Sequence, residues 1–150
     1  MSGAAVTVLG LCLALGGADA VTPPPGPAVF IVAHRFTLAW THSIEHVRWE
    51  EDYELQPAPS GSAGAPPRLL AVLARVQGSA AGMEPGPDAV LRNGWFEYRP
   101  AQREHLGLWL TRSPYTADYE LCLDGAPCRP LSAWLPSDGW RTRLWPCAGG

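Results

Sequence analysis

The sequence predicts one all-β domain, a single antiparallel sandwich or open barrel. Three observations carry that reading. Apolar and polar residues alternate with period two in several short runs, as in Phe36, Leu38 and Trp40 against Thr37 and Ala39. Turn dipeptides separate these runs, Asn93-Gly94 and Asp124-Gly125 among them. Glycine and proline number 16 each in 150 residues, a density that breaks long helices. The length suits one domain, and an apolar fraction of 47% supplies its core.

From the N-terminus, residues 1–20 read as a signal peptide. Val6 to Leu15 is an uncharged apolar run, and Ala18-Asp19-Ala20 offers small residues around a cleavage point. No Lys or Arg precedes the run, so an uncleaved anchor is the competing reading and the membrane contact it implies runs through the N-terminus alone. Residues 21–28, with Thr22 to Pro27, form a stiff Pro-rich linker, and 29–147 the β-rich domain. Within it Phe30 to Val32 and Phe36 to Trp40 read as strands, and Trp49, Tyr53 and Leu55 share one parity of a third. Pro57 to Pro67 is a low-complexity loop. Arg68 to Gln77 fits a helix or a buried strand, and its strand neighbours favour the latter. Asn93-Gly94 marks a type I′ hairpin. Leu106, Leu108 and Leu110 define one face of a further strand, Tyr119, Leu121 and Leu123 that of another.

Cleavage after Ala20 leaves Cys122, Cys128 and Cys147. In an oxidising compartment Cys122 and Cys128, either side of a turn, are the favoured disulfide, with Cys147 left over. A net charge of -3 with no basic tract gives no footprint for nucleic acid. All 11 basic residues are arginine.

Ionisable groups concentrate between Trp40 and Leu55. His42, His46 and Glu50 recur every four residues, a helical face for a metal. The flanks are strand-like, however, and on a strand the i and i+4 residues lie ~13 Å apart, too far for one ion. HExxH is absent, as is the GxSxG elbow that would make Ser43 a nucleophile. No catalytic and no metal residue is assigned, and no cofactor is identified. A metal-dependent or serine hydrolase built on His42, Ser43 and Glu45 is the alternative to a binding site, and a structural turn is the plainest reading of all.

The run "FTLAWTHSIEHVRWEEDYEL", followed by "GSAAGMEPGP", resembles the bacterial domain of unknown function 1850 family. His42, Ser43, Ile44 and Glu45 match its first motif, Glu50 or Glu51 its acidic position, and Ala81, Gly82 and Met83 its second loop. Ala80 departs from a usual glycine there, and Glu84 stands inserted before Pro85. The resemblance covers about Phe36 to Leu123. It implies a periplasmic or otherwise exported, non-enzymatic accessory protein in solute uptake, while the residues themselves, a histidine and carboxylates at a strand exit near a Gly-rich loop, suit a small polar solute or an ion. Its implied partners are subunits of a TAXI-type TRAP transporter. The expected site is a polar cluster of His42, Ser43, Glu45 and Glu50 or Glu51 facing Ala81, Gly82 and Met83.

Overall fold

The computed structural model describes residues 8–18, 26–42, 44, 46–61, 64–78 and 88–149. They form two antiparallel sheets and no closed barrel. One short 3-10 turn, Leu131–Ala133, is their only helical element, and among the described residues no helix is long and apolar enough to cross a membrane. The strands are β1 (Val8–Gly17), β2 (Val29–Val32), β3 (Arg35–Thr41), β4 (Arg48–Gln56), β5 (Arg68–Gln77) and β6 (Val90–Arg92). They continue as β7 (Trp95–Tyr98), β8 (Glu104–His105), β9 (Leu108–Thr111), β10 (Glu120–Leu123), β11 (Arg129–Pro130) and β12 (Arg141–Gly149). The smaller sheet runs β2-β1-β12-β9. The larger runs β11-β10-β3-β4-β5-β7-β6, with β8 also paired to β5.

Period two decides what most strands bury, and in β5 the register shift opposite Asp52 and Tyr53 moves burial from Leu69 and Ala71 to Ala74 and Val76. Leu11, Leu13, Ile31, Leu110 and Leu144 point from the smaller sheet into the core. Phe36, Leu38, Tyr53, Leu55, Leu69 and Leu121 meet them from the larger. Leu131 and Leu135 close one end. Arg68 to Gln77 is a strand, and the hairpin turn has the positive φ at both residues that type I′ needs, 50° at Asn93 and 83° at Gly94. Leu106 is a correction: it is 61% exposed, because it lies between β8, which ends at His105 in the larger sheet, and β9, which begins at Leu108 in the smaller.

The N-terminal run has a structural role that its composition conceals. Val8–Gly17 is hydrogen-bonded between β2 and β12, with Leu11 and Leu13 fully buried. The alternation of Leu9, Leu11, Leu13 and Leu15 suits a strand as well as it suits a leader. At Gly10 a Cβ would lie 2.4 Å from the Ile31 carbonyl oxygen, and the Phe30 ring packs over Gly10 and Gly149. Cleavage after Ala20 would take this strand out of the sheet. The cysteine assignment changes with it. Cys122 and Cys128 are bridged, but Cys147 is not left over: it bonds Cys12, 135 residues away. Removal of a leader would discard Cys12, whereas in the sheet β1 and β12 are neighbours and bring the two sulfurs together. Two disulfides are consistent with an oxidising compartment.

Candidate functional site

Trp40, Thr41 and His42 leave the end of β3 and enter a tight loop. The His42 N–H donates to the Val47 carbonyl at 2.9 Å, and the His46 N–H to the His42 carbonyl at 2.9 Å. The Ile44 N–H donates to His42 Nδ1 at 3.3 Å, so that ring is held by the local backbone, as a turn requires. His46 adopts a left-handed φ of 56°, and Ile44 is exposed. Ser43, Glu45, Ala81, Gly82 and Met83 lie outside the described residues.

Facing His42 is the connector between β9 and β10. Thr41, His42, Thr111, Ser113, Thr116 and Tyr119 line a crevice of about 270 Å³, with Trp40 as its wall. An ion pair between a buried arginine and a part-buried aspartate holds the connector. Arg112, 3% exposed, donates from Nε and Nη2 to the two oxygens of Asp118, both at 3.0 Å, and from Nη1 to the Thr142 hydroxyl at 3.2 Å. Asp118 also accepts the Tyr119 and Ser132 N–H groups at 2.9 Å. A desolvated charge satisfied on this many sides fixes backbone position.

Trp40 and Tyr119 also wall a second crevice of about 220 Å³, with Glu51, Tyr53, Leu38, Leu108 and Leu110. Trp40 stacks on Trp49 with ring centroids 6.1 Å apart, and Tyr119 tilts against Trp40 at the same separation. The Tyr53 hydroxyl donates to Glu51 Oε2 at 2.7 Å. Burial, and after it the Glu51 charge, pushes the Tyr53, Tyr98 and Tyr119 hydroxyls above their ordinary range.

The chain therefore divides the expected acidic pair between two faces. Glu50 is on the outer face. Its Oε1 accepts from Arg75 Nε at 2.6 Å and its Oε2 from Arg48 Nε at 2.7 Å. Asp52 accepts from Arg75 and from the Thr37 hydroxyl, and Glu120 accepts from Arg48 Nη1. An outer crevice of about 330 Å³ runs beside this network; Arg75 pairs there with Asp52 and Arg35 with Asp124 at 4.0 Å, while Glu54 accepts from the Gln56 amide at 3.4 Å. Glu51 is on the inner face. Adjacent strand residues point to opposite sides, so the two carboxylates cannot serve one site. Among the described residues no group of three or more His, Cys, Asp or Glu side chains is placed to hold a metal ion, and His42, His46 and Glu50 do not share a helical face.

The model of a family of unknown function, DUF1850, matches residues 36–131, well over half of the chain. The chain belongs to this family. No curated protein and no solved structure matches it. The DUF1850 segment spans β3 to β11 and so includes both crevices, while β1 and β12 lie outside the match.

His42 and Glu51, singled out in the sequence, each line one of the two crevices, as do Ser113, Thr116 and Tyr119, which the sequence reading did not single out as site residues. The run "TRSPYTADY" carries a signal of its own, hydroxyl side chains crowded between an arginine and an aspartate. Its composition is that of a loop, and only the pairing of β3 with β10 brings it against His42.

Proposed function

We propose that this DUF1850 protein is a non-enzymatic binding or accessory protein of a solute-uptake system. Its ligand is a small polar solute held in the crevice between His42 and the β9–β10 connector. One observation carries the reading: His42 and five hydroxyl-bearing residues, Thr41, Thr111, Ser113, Thr116 and Tyr119, line one crevice. That is the makeup of a recognition site, a few polar groups set in a largely fixed wall. The connector's Arg112–Asp118 pair supports pre-organisation, because the hydroxyls need not be ordered when a ligand arrives. The two disulfides support work in an oxidising space such as the periplasm. A TAXI-type TRAP transporter is the partner we assign, by family resemblance.

The test has two parts. Thermal shift and calorimetry of the full chain against small polar solutes should reveal a binder whose affinity falls at least tenfold in His42→Ala and Thr116→Val, with melting temperatures held within a few degrees. Affinity purification from cells carrying the transporter should retain its subunits. Binding undiminished in both variants would refute the site, and absence of the transporter subunits would refute the partner.

A further inference from the structure

We propose that the inner crevice takes an organic ammonium ion, its charge held by Glu51 and its flank packed against Trp40, Tyr53 and Tyr119. This rests on the binding reading above and names the class of solute. The first argument is charge. Strand alternation in β4 sends Arg48 to the outer face, and the register shift opposite Asp52 and Tyr53 turns Arg75 of β5 there too; Glu50, Asp52 and Glu120 occupy them. Glu51 is left on the inner face with no cationic partner among the described residues. The Tyr53 hydroxyl satisfies Oε2, and Oε1 accepts no hydrogen bond there. A half-buried carboxylate in that state favours a cation over a neutral or anionic guest.

The second argument is the wall. Trp40, Tyr53, Tyr119 and Trp109 line the crevice with Leu38, Leu108 and Leu110, and the Arg141 and Arg143 guanidiniums lie over the Trp109 ring at 4.9 and 5.1 Å. Aromatic faces attract desolvated cations, and quaternary ammonium groups are recognised by such surroundings. The tyrosines stay neutral well into alkaline solution, since burial and Glu51 raise their hydroxyls, so none of them alters the charge of the wall near neutral pH. His105, the basic group in ring contact with Tyr53, sits edge-on at 6.1 Å and has its Nε2 at 3.3 Å from the Gln102 carbonyl.

Size is the third argument. A space of about 220 Å³ falls below the ~300–1,000 Å³ of drug-sized sites and suits a compact head group. The adjoining crevice, which shares Trp40 and Tyr119, would take a short polar tail beside Thr111, Ser113, Thr116 and His42.

Choline and its neutral isostere 3,3-dimethyl-1-butanol separate charge from shape. Ethanolamine tests the primary amine, acetate the anion and glucose the uncharged polyol. With the full oxidised chain, calorimetry and tryptophan fluorescence should show choline or ethanolamine binding at least tenfold more tightly than the alcohol. Glu51→Gln, which keeps an acceptor for Tyr53, should erase that preference to within twofold. Glu54→Gln, on the outer face, should leave it intact. Trp40→Leu should weaken the quaternary probe more than the primary one. Equal affinity for the alcohol, or cation affinity unchanged in Glu51→Gln, overturns the proposal. Should glucose or acetate bind instead, with sensitivity to His42→Ala, the ammonium assignment fails while the binding site stands. Should none of the five probes bind, the ammonium assignment fails alone, since the wider solute panel still tests the site.

Discussion

Deleting residues 1–20 should unfold this protein, because those residues contain β1. Leu11 and Leu13 are fully buried and Cys12 is 2% exposed. Removing a buried leucine side chain costs ~3–5 kcal/mol. Losing a disulfide that closes 135 residues costs about 5 kcal/mol by chain entropy. The sum, on the order of 10 kcal/mol, is comparable with the ~5–15 kcal/mol that holds a domain together. The deletion also leaves the facing edges of β2 and β12 unpaired, an invitation to aggregation. The assay is far-UV circular dichroism and thermal melting of the full chain beside a chain beginning at Val21, both made under oxidising conditions. The full chain should melt cooperatively and the shorter one should not. Leu13→Ala should lower the melting temperature by ~10 °C or more on its own. A cooperative melt of the shorter chain within a few degrees of the full one would refute the reasoning and return residues 1–20 to the role of a leader. Mass analysis of the protein from its native cell tests the same point independently, since a start near Val21 is incompatible with β1 in the sheet.

Asp118→Ala should cost ~3–5 kcal/mol in chemical denaturation, because it leaves Arg112 charged and buried, whereas replacing both partners with apolar residues should recover much of the loss. Cys122→Ser should cost about 2 kcal/mol, since its bridge closes a separation of 6 residues, and Cys12→Ser about 5 kcal/mol; equal losses in non-reducing melts would refute the ranking. The raised tyrosine hydroxyls of Tyr53, Tyr98 and Tyr119 bind their protons more tightly in the folded chain. Their stabilising contribution is therefore complete below the unfolded value of ~10 and is lost as pH climbs above it. Tyrosinate absorbance should rise together with alkaline unfolding, and in Glu51→Gln the folded-state titration should begin at lower pH; an unchanged onset would contradict the proximity of Glu51 to these rings.

Strand alternation and turn chemistry are local, so the class of the fold could be read from the chain alone. Trp49, Tyr53 and Leu55 share a parity that follows from their numbers, and Glu51 shares it too, so its place among aromatics was legible without coordinates. The hairpin at Asn93-Gly94 needed nothing beyond two residues that tolerate positive φ. Three things had to wait for the packed molecule. A ten-residue apolar run is a strand or a leader according to whether edges stand ready to receive it, and β2 and β12 are distant in sequence or unremarkable in composition. Cys12 and Cys147 can bond only because β1 and β12 are neighbours. His42 meets Ser113 and Thr116 for the same kind of reason: β3 lies beside β10, and an arginine–aspartate pair fixes the connector that approaches it. Local residues set what each strand can bury. Which strands lie side by side is decided by the packing of the whole core, and the candidate site is made of such neighbours.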